Sequence, residues 1–123
     1  MSENPSEATL HPFRPPPAGG LLHAVVGFDR QELQAIFDIY GRMVAQGLWR
    51  DYALDFSTQR AIFSIFRRSG EAAFYRIVKE PKSARKQGAY MVVAQTGLIL
   101  KRGAELRRIL GVLEKQSIFQ TIG

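Results

Sequence analysis

The sequence predicts an α+β domain: an antiparallel β-meander of four to five strands, with one helix before it and one helix after it. Two periodicities carry this prediction. Apolar residues repeat with a helical period over residues 30–46 and 104–115, and they alternate with a period of two between residues 51 and 100. The connections between the alternating segments are short, which favours antiparallel pairing of consecutive strands.

The first helix has a clear start and a clear end in the sequence. Asp29 is placed to cap the amides of the first turn, and Glu32 is placed to complete a capping box. Gly47 follows the last helical position and is expected to end the helix. The apolar stripe, which we expect to be buried, contains Leu33, Ile36, Phe37, Tyr40 and Val44.

Five alternating segments follow this helix. They predict strands at residues 51–57, 60–67, 73–78, 89–95 and 98–100. Ala24–Phe28, before the helix, is expected to be an edge strand or a lead-in.

Both faces of the predicted sheet carry apolar residues, so the two helices cover either one face or one face each. A face that no helix covers is then a dimer surface or a platform for a ligand.

The chain is predicted to hold one domain between two tails. Residues 1–20 are rich in proline and poor in apolar residues, which predicts a disordered N-terminal tail. Residues 21–117 are the single α+β domain, and residues 118–123 are a C-terminal tail. There is no signal-peptide pattern and no apolar run long enough to span a bilayer, so we expect a cytoplasmic protein without membrane insertion.

Charge is distributed unevenly along the chain. Residues 1–58 carry four Arg or Lys against seven Asp or Glu, whereas residues 59–123 carry thirteen against four. The net charge of +6 and the pI of about 10.1 therefore arise from the second half. This asymmetry bears on partners and not on the fold, and it indicates nucleic acid or an acidic protein.

The residue inventory argues against a catalytic or cofactor site. The chain has no cysteine, and its two histidines, His11 and His23, lie in or next to the tail. These residues cannot supply a zinc site or a hydrolytic triad within the domain. The segment Arg85–Gly88 lacks the spacing of a phosphate loop. We therefore expect a non-enzymatic protein without a metal or a cofactor.

Seven cations are the predicted contacts to an anionic partner. Five of them run from the third strand into the next loop and two precede the second helix, and the hairpin at Thr96-Gly97 is expected to bring Lys101 toward that loop. On their own, such residues are most often a solvated surface. The candidates are Arg76, Lys79, Lys82, Arg85, Lys86, Lys101 and Arg102.

Four aromatic residues are candidates for an interface. Phe66, Phe74 and Tyr90 lie on predicted strands, among the basic residues, and could offer stacking faces to bases. Trp49 lies at the junction between the first helix and the first strand, as an interface anchor or as a residue that locks the helix to the sheet. For each of them, a place in the core is the competing interpretation.

Five short segments carry a resemblance to a known family: Tyr40–Val44, Trp49–Ala53, Tyr75–Ile77, Arg85–Tyr90 and Thr96–Gly103. Through these segments the chain resembles, from about residue 24 to residue 115, domain-of-unknown-function family 2794, a family of short alphaproteobacterial proteins. The resemblance implies an alphaproteobacterial origin and a cytoplasmic protein. It implies no reaction and transfers no catalytic residues.

Two functions fit these observations. The first is a small nucleic-acid-binding module with a regulatory role, which rests on the high pI, the segregated charge and the aromatic residues on the sheet. The alternative is a protein–protein adaptor or accessory subunit that docks through its basic half and an apolar sheet face. A homodimer through an uncovered sheet face is compatible with either.

Overall fold

A computed structural model describes residues 24–122 of the chain. The model confirms the predicted fold class, because one five-stranded antiparallel sheet in the order β1-β2-β3-β4-β5 lies between two helices in the sequence. The elements are α1 (Arg30–Ala45), β1 (Asp51–Phe56), β2 (Ala61–Phe66), β3 (Tyr75–Lys79), a 3₁₀ turn (Pro81–Ser83), β4 (Tyr90–Ala94), β5 (Ile99–Gly103) and α2 (Leu106–Ile122).

Helix α1 begins with the predicted capping box. The Asp29 carboxylate accepts from the Glu32 amide at 2.8 Å, and the Asp29 amide donates to Glu32 Oε1 at 2.7 Å. Gln46 caps the other end, and Gly47 follows with a φ of +78°. A left-handed φ favours glycine, so this residue ends the helix as predicted.

The predicted buried stripe of α1 is wrong by about one position. The helix buries Glu32, Ala35, Ile36, Ile39 and Met43. Phe37 is instead 37% exposed and packs sideways against Tyr52 and Phe63, with ring centroids 5.2 Å and 5.4 Å away. The pattern misplaced the stripe because α1 carries a second apolar series one position away, through Ile39 and Met43, which the prediction left out.

The sheet is a simple meander with one irregularity. Neighbouring strands pair in register until β4 and β5, where a bulge lies between Val92 and Val93. The β4–β5 hairpin closes where the Ala94 amide donates to the Leu98 carbonyl at 2.8 Å and the Gly97 amide donates to the Ala94 carbonyl at 2.9 Å, and Gly97 takes a φ of +97°. Its loop is therefore three residues long and not two, although Gly97 occupies the expected turn position.

Both helices lie on the same face of the sheet. The core contains α1 residues and α2 residues together with Phe63, Ile65, Tyr75, Ile77 and Val92, which all belong to one sheet face. Val78 and Met91 are also buried, but they lie on the other face and outside this core. The sequence allowed both helices on one face or one helix on each face, and the structure has both helices on one face.

One end of the described region fits one of the two expected alternatives, and the other end differs from the prediction. Residues 24–29 form no strand, although the Val26 amide donates to the Ser57 carbonyl at 2.8 Å, so this segment is the lead-in and not an edge strand. Helix α2 continues to Ile122, beyond the expected end near residue 115, because no glycine or proline interrupts residues 112–122. The predicted tail at residues 1–20 lies outside the described residues.

Candidate anion-binding surface

Three exposed cations occupy the loop between β3 and β4. Lys82 lies in the 3₁₀ turn, and Arg85 and Lys86 follow it; we call these three residues the basic loop. The loop is compact because the Ser83 carbonyl accepts from the amides of Gln87 and Gly88 at 3.0 and 3.1 Å. None of the three cations forms an ion pair with a residue in the described part of the chain.

Glu80 anchors the start of this loop. Its buried carboxylate accepts from Ser83 Oγ at 2.8 Å and from Arg60 Nη2 at 2.7 Å, while Arg102 Nη2 lies 3.5 Å away. The hydrogen bond from Ser83 lowers the pKa of Glu80, and the positive charges of Arg60 and Arg102 add to this effect against the opposing effect of burial. Glu80 thus fixes the loop to two neighbouring elements while the loop cations face solvent.

The far end of the loop is fixed to β5. Gly88 has a φ of +91° and lies directly against the backbone of Gly103, the last residue of β5. Tyr90 also pairs with Gly103 across the β4–β5 ladder. The hairpin therefore brings the end of β5 to the basic loop, as the sequence predicted.

A cleft continues the positive surface between β5 and α2. Its volume is about 450 Å³, and its lining includes Lys101, Arg102, Glu105 and Arg108. Lys101 is exposed and forms no ion pair within residues 24–122, whereas Arg108 pairs with Glu105 at 3.4 Å. The cleft and the basic loop together give this end of the sheet an excess of positive charge.

Lys79, one of the predicted contacts, is turned into the protein. Its ammonium group donates to Glu32 Oε1 and to the Gly27 carbonyl, both at 2.8 Å. Glu32 also accepts a hydrogen bond from the Tyr90 hydroxyl, and burial together with this bond raises the pKa of Tyr90. Lys79 therefore ties α1 to the sheet, and its ammonium group already has two partners within the chain.

Two more of the predicted contacts to an anionic partner, Arg102 and Arg76, are only partly exposed. The Arg102 side chain is 22% exposed and faces Glu80, and its Nε atom is buried without a hydrogen-bond partner. Arg76 pairs with Ser64 and Val93 on the face that lacks the helices, away from the basic loop. The predicted cations that remain exposed at one end of the sheet are Lys82, Arg85, Lys86 and Lys101.

The aromatic candidates are mostly part of the core. Trp49 is 3% exposed and contacts the rings of Tyr40 and Tyr75, so it locks α1 to the sheet. Phe74 packs against the core below the Arg67 guanidinium, and Tyr90 is bonded to Glu32. Only Phe66, among the four, belongs to the sheet face without helices, and it lies at the end opposite the basic loop.

Sequence reasoning missed the anchoring role of Glu80. A signal was present, because Glu80 is the single acidic residue between Glu71 and Glu105, a stretch that holds seven Arg or Lys residues. One carboxylate among many cations and directly before a proline is a candidate for burial by several of them. Arg60, which shares Glu80, was not singled out either.

The fold and this surface define a class: a small α+β meander domain with a positively charged end. A family model described as "Protein of unknown function (DUF2794)" matches residues 26–110, and the chain belongs to this family. No curated protein and no solved structure matches the chain. Among the described residues, no helix is both long enough and apolar enough to cross a membrane.

Proposed function

We propose that this protein is a small, non-enzymatic cytoplasmic protein that binds nucleic acid through the basic loop and the neighbouring Lys101. The observation that carries the proposal is the group of three exposed loop cations without a described acidic partner, fixed next to the cleft by Glu80 and Gly88. A rigid cluster of free cations favours phosphates, because binding then releases counterions without losing internal ion pairs.

The contacts would be to the phosphate backbone and not to bases. The aromatic rings near the basic loop are engaged in the core, so they do not offer stacking faces at this end. Phosphate contacts position a partner but carry no sequence information. The proposal is therefore for binding with little sequence preference.

The test is the salt dependence of binding to a fluorescent mixed-sequence oligonucleotide. Four cations that each meet a phosphate give a log–log slope of about −3 to −4. Replacing Lys82, Arg85 and Lys86 together by Gln should flatten that slope by about two to three units. The melting temperature should stay within about 2 °C, because none of the three side chains contributes to the core.

A matched variant loses the same charge at positions outside the basic loop. Arg50, Arg68 and Lys115 lie away from the basic loop and are outside the core. Their joint replacement by Gln should change the slope by less than about one unit. Equal effects of the two triple variants, or no binding by the natural chain at low salt, would refute the proposal.

A protein–protein adaptor remains the second candidate, supported by the sheet face that neither described helix covers. It would show weak, unsaturable binding to the oligonucleotide. A homodimer through that face stays a prediction, which sedimentation of the natural chain at several concentrations would test.

A further inference from the structure

The sheet face opposite the helices is a surface separate from the basic loop. Residues that pair directly across an antiparallel ladder lie on the same face, so the register defines this surface. We call it the second sheet face. Its members on the three central strands are Ile62, Ser64 and Phe66 of β2, Arg76 and Val78 of β3, and Met91 and Val93 of β4.

This face is mainly apolar, although neither described helix packs on it. Ile62 and Val93 are partly exposed and lie next to the buried Val78 and Met91, while the partly exposed Phe66 lies beyond Ser64 at the end of β2. The apolar residues of both helices pack on the opposite face. Partly exposed apolar residues grouped on a sheet face without a described helix are typical of a site where another polypeptide binds.

Arg76 lies in the middle of the second sheet face. It pairs with Ser64 on one side and with Val93 on the other, and it forms no ion pair with any residue from 24 to 118. Anything that covers this face desolvates the guanidinium group, which is costly unless a carboxylate accepts its hydrogen bonds. A polypeptide that binds this face is therefore expected to place a carboxylate against Arg76.

A second copy of the chain meets this requirement poorly. Two copies that cover each other's second sheet face are related by a two-fold axis through the middle of that face, where Arg76 lies between Ser64 and Val93. Whichever way this axis runs in the plane of the sheet, it sets Arg76 against its own counterpart and so opposes like charges.

We propose that the second sheet face binds an amphipathic helix of a partner protein, with one carboxylate of the helix's apolar stripe paired to Arg76. A helix is about 10 Å wide, and strands lie about 4.8 Å apart, so one helix covers the apolar residues of β2, β3 and β4. Apolar contacts supply the area, and the Arg76–carboxylate pair fixes the orientation.

The experiment uses the full chain and two synthetic 18-residue helical peptides. Both peptides carry a leucine stripe at positions i, i+3, i+4 and i+7; one has a Glu in the middle of that stripe and the other a Gln. We expect the Glu peptide to bind about tenfold more tightly or better. In NMR spectra of the protein, the amide chemical shifts that change when the Glu peptide binds should include those of Ile62, Val78 and Val93.

Substitutions in the protein test whether Arg76 causes the tighter binding of the Glu peptide. R76Q should remove the difference between the two peptides, whereas R50Q, which also removes an exposed cation, should keep it. I62K should weaken both peptides equally. R76Q should leave the oligonucleotide salt slope unchanged, so failure of this inference is distinguishable from failure of the proposed nucleic-acid function.

Several results would overturn the inference. Absence of binding by either peptide at millimolar concentration, equal binding of the two peptides, or shift changes confined to the helix-covered face would each do so. A dimer of the full chain that I62K dissociates would name the second copy as the occupant instead.

Discussion

A Cβ atom on Gly88 would lie 2.1 Å from the carbonyl carbon of Gly103 and 2.3 Å from its oxygen. The two backbones are in contact at the point where the basic loop returns to the sheet. Only glycine has both the left-handed φ and the missing side chain that this approach requires. The position of the basic loop relative to β5 therefore depends on Gly88.

Substituting Gly88 by Ala should destabilise the protein by about 3 kcal/mol or more, because strain at a left-handed φ adds to a clash with backbone atoms that cannot move away. Gly97→Ala is the matched control, since Gly97 has a similar φ of +97° but nothing within 4 Å of an added Cβ. The control should cost about 1–2 kcal/mol. Urea unfolding measures both, and equal losses would show that the close approach carries no cost.

The buried carboxylate of Glu32 forms an ion pair with the ammonium group of Lys79. Replacing Glu32 by Gln keeps the shape and the acceptor for the Asp29 amide but leaves the Lys79 ammonium without its counter-charge. We expect a loss of about 3–5 kcal/mol in the free energy of unfolding. Glu105→Gln breaks an exposed pair with Arg108 and should cost less than about 1 kcal/mol. Similar losses for the two would contradict the structural role of Lys79.

Glu80 should make stability depend on pH in the acid range. Its folded pKa lies below the ordinary value of 4.5, so the stability it supplies is fully present above about pH 4.5 and is lost as the pH falls through the folded pKa. Glu80→Gln should reduce the free energy of unfolding at pH 7 by about 1–3 kcal/mol. The gap to the natural chain should narrow below pH 4.5, and a gap that stays constant down to pH 2.5 would refute this assignment.

The corrected face of α1 gives a direct comparison of two neighbouring residues. Ile36 is fully buried, so Ile36→Ala should cost about 2–5 kcal/mol. Phe37 keeps more than a third of its surface exposed, and Phe37→Ala should cost less than about 2 kcal/mol despite the larger side chain. Chemical denaturation of both variants tests the ranking, and the reverse order would restore the stripe predicted from the pattern.

Local patterns were sufficient for most of the secondary structure. Asp29 and Glu32 sit three apart, and that spacing alone defines the capping box at the start of α1. Alternation with a period of two located β1 to β4 to within two residues, because these strands bury one face against the helices. The fifth strand was expected at residues 98–100 after the Thr96-Gly97 turn, whereas β5 spans Ile99–Gly103. Helix α2 was predicted too short, since Ile118 is 56% exposed and the apolar stripe that marks a helix fades before the helix ends.

The sequence by itself determined the fold class, the uneven charge and the absence of cysteine chemistry, because these depend on composition and on neighbours in the chain. Only the tertiary structure decided which cations are free. Lys79 and Lys82 are three positions apart, yet Lys79 meets Glu32, 47 positions away, while Lys82 faces solvent. Likewise, Arg76 became the centre of an apolar face only when β2 and β4 paired on either side of it. Ion pairs and faces join residues that are distant in sequence, and no local period encodes such contacts.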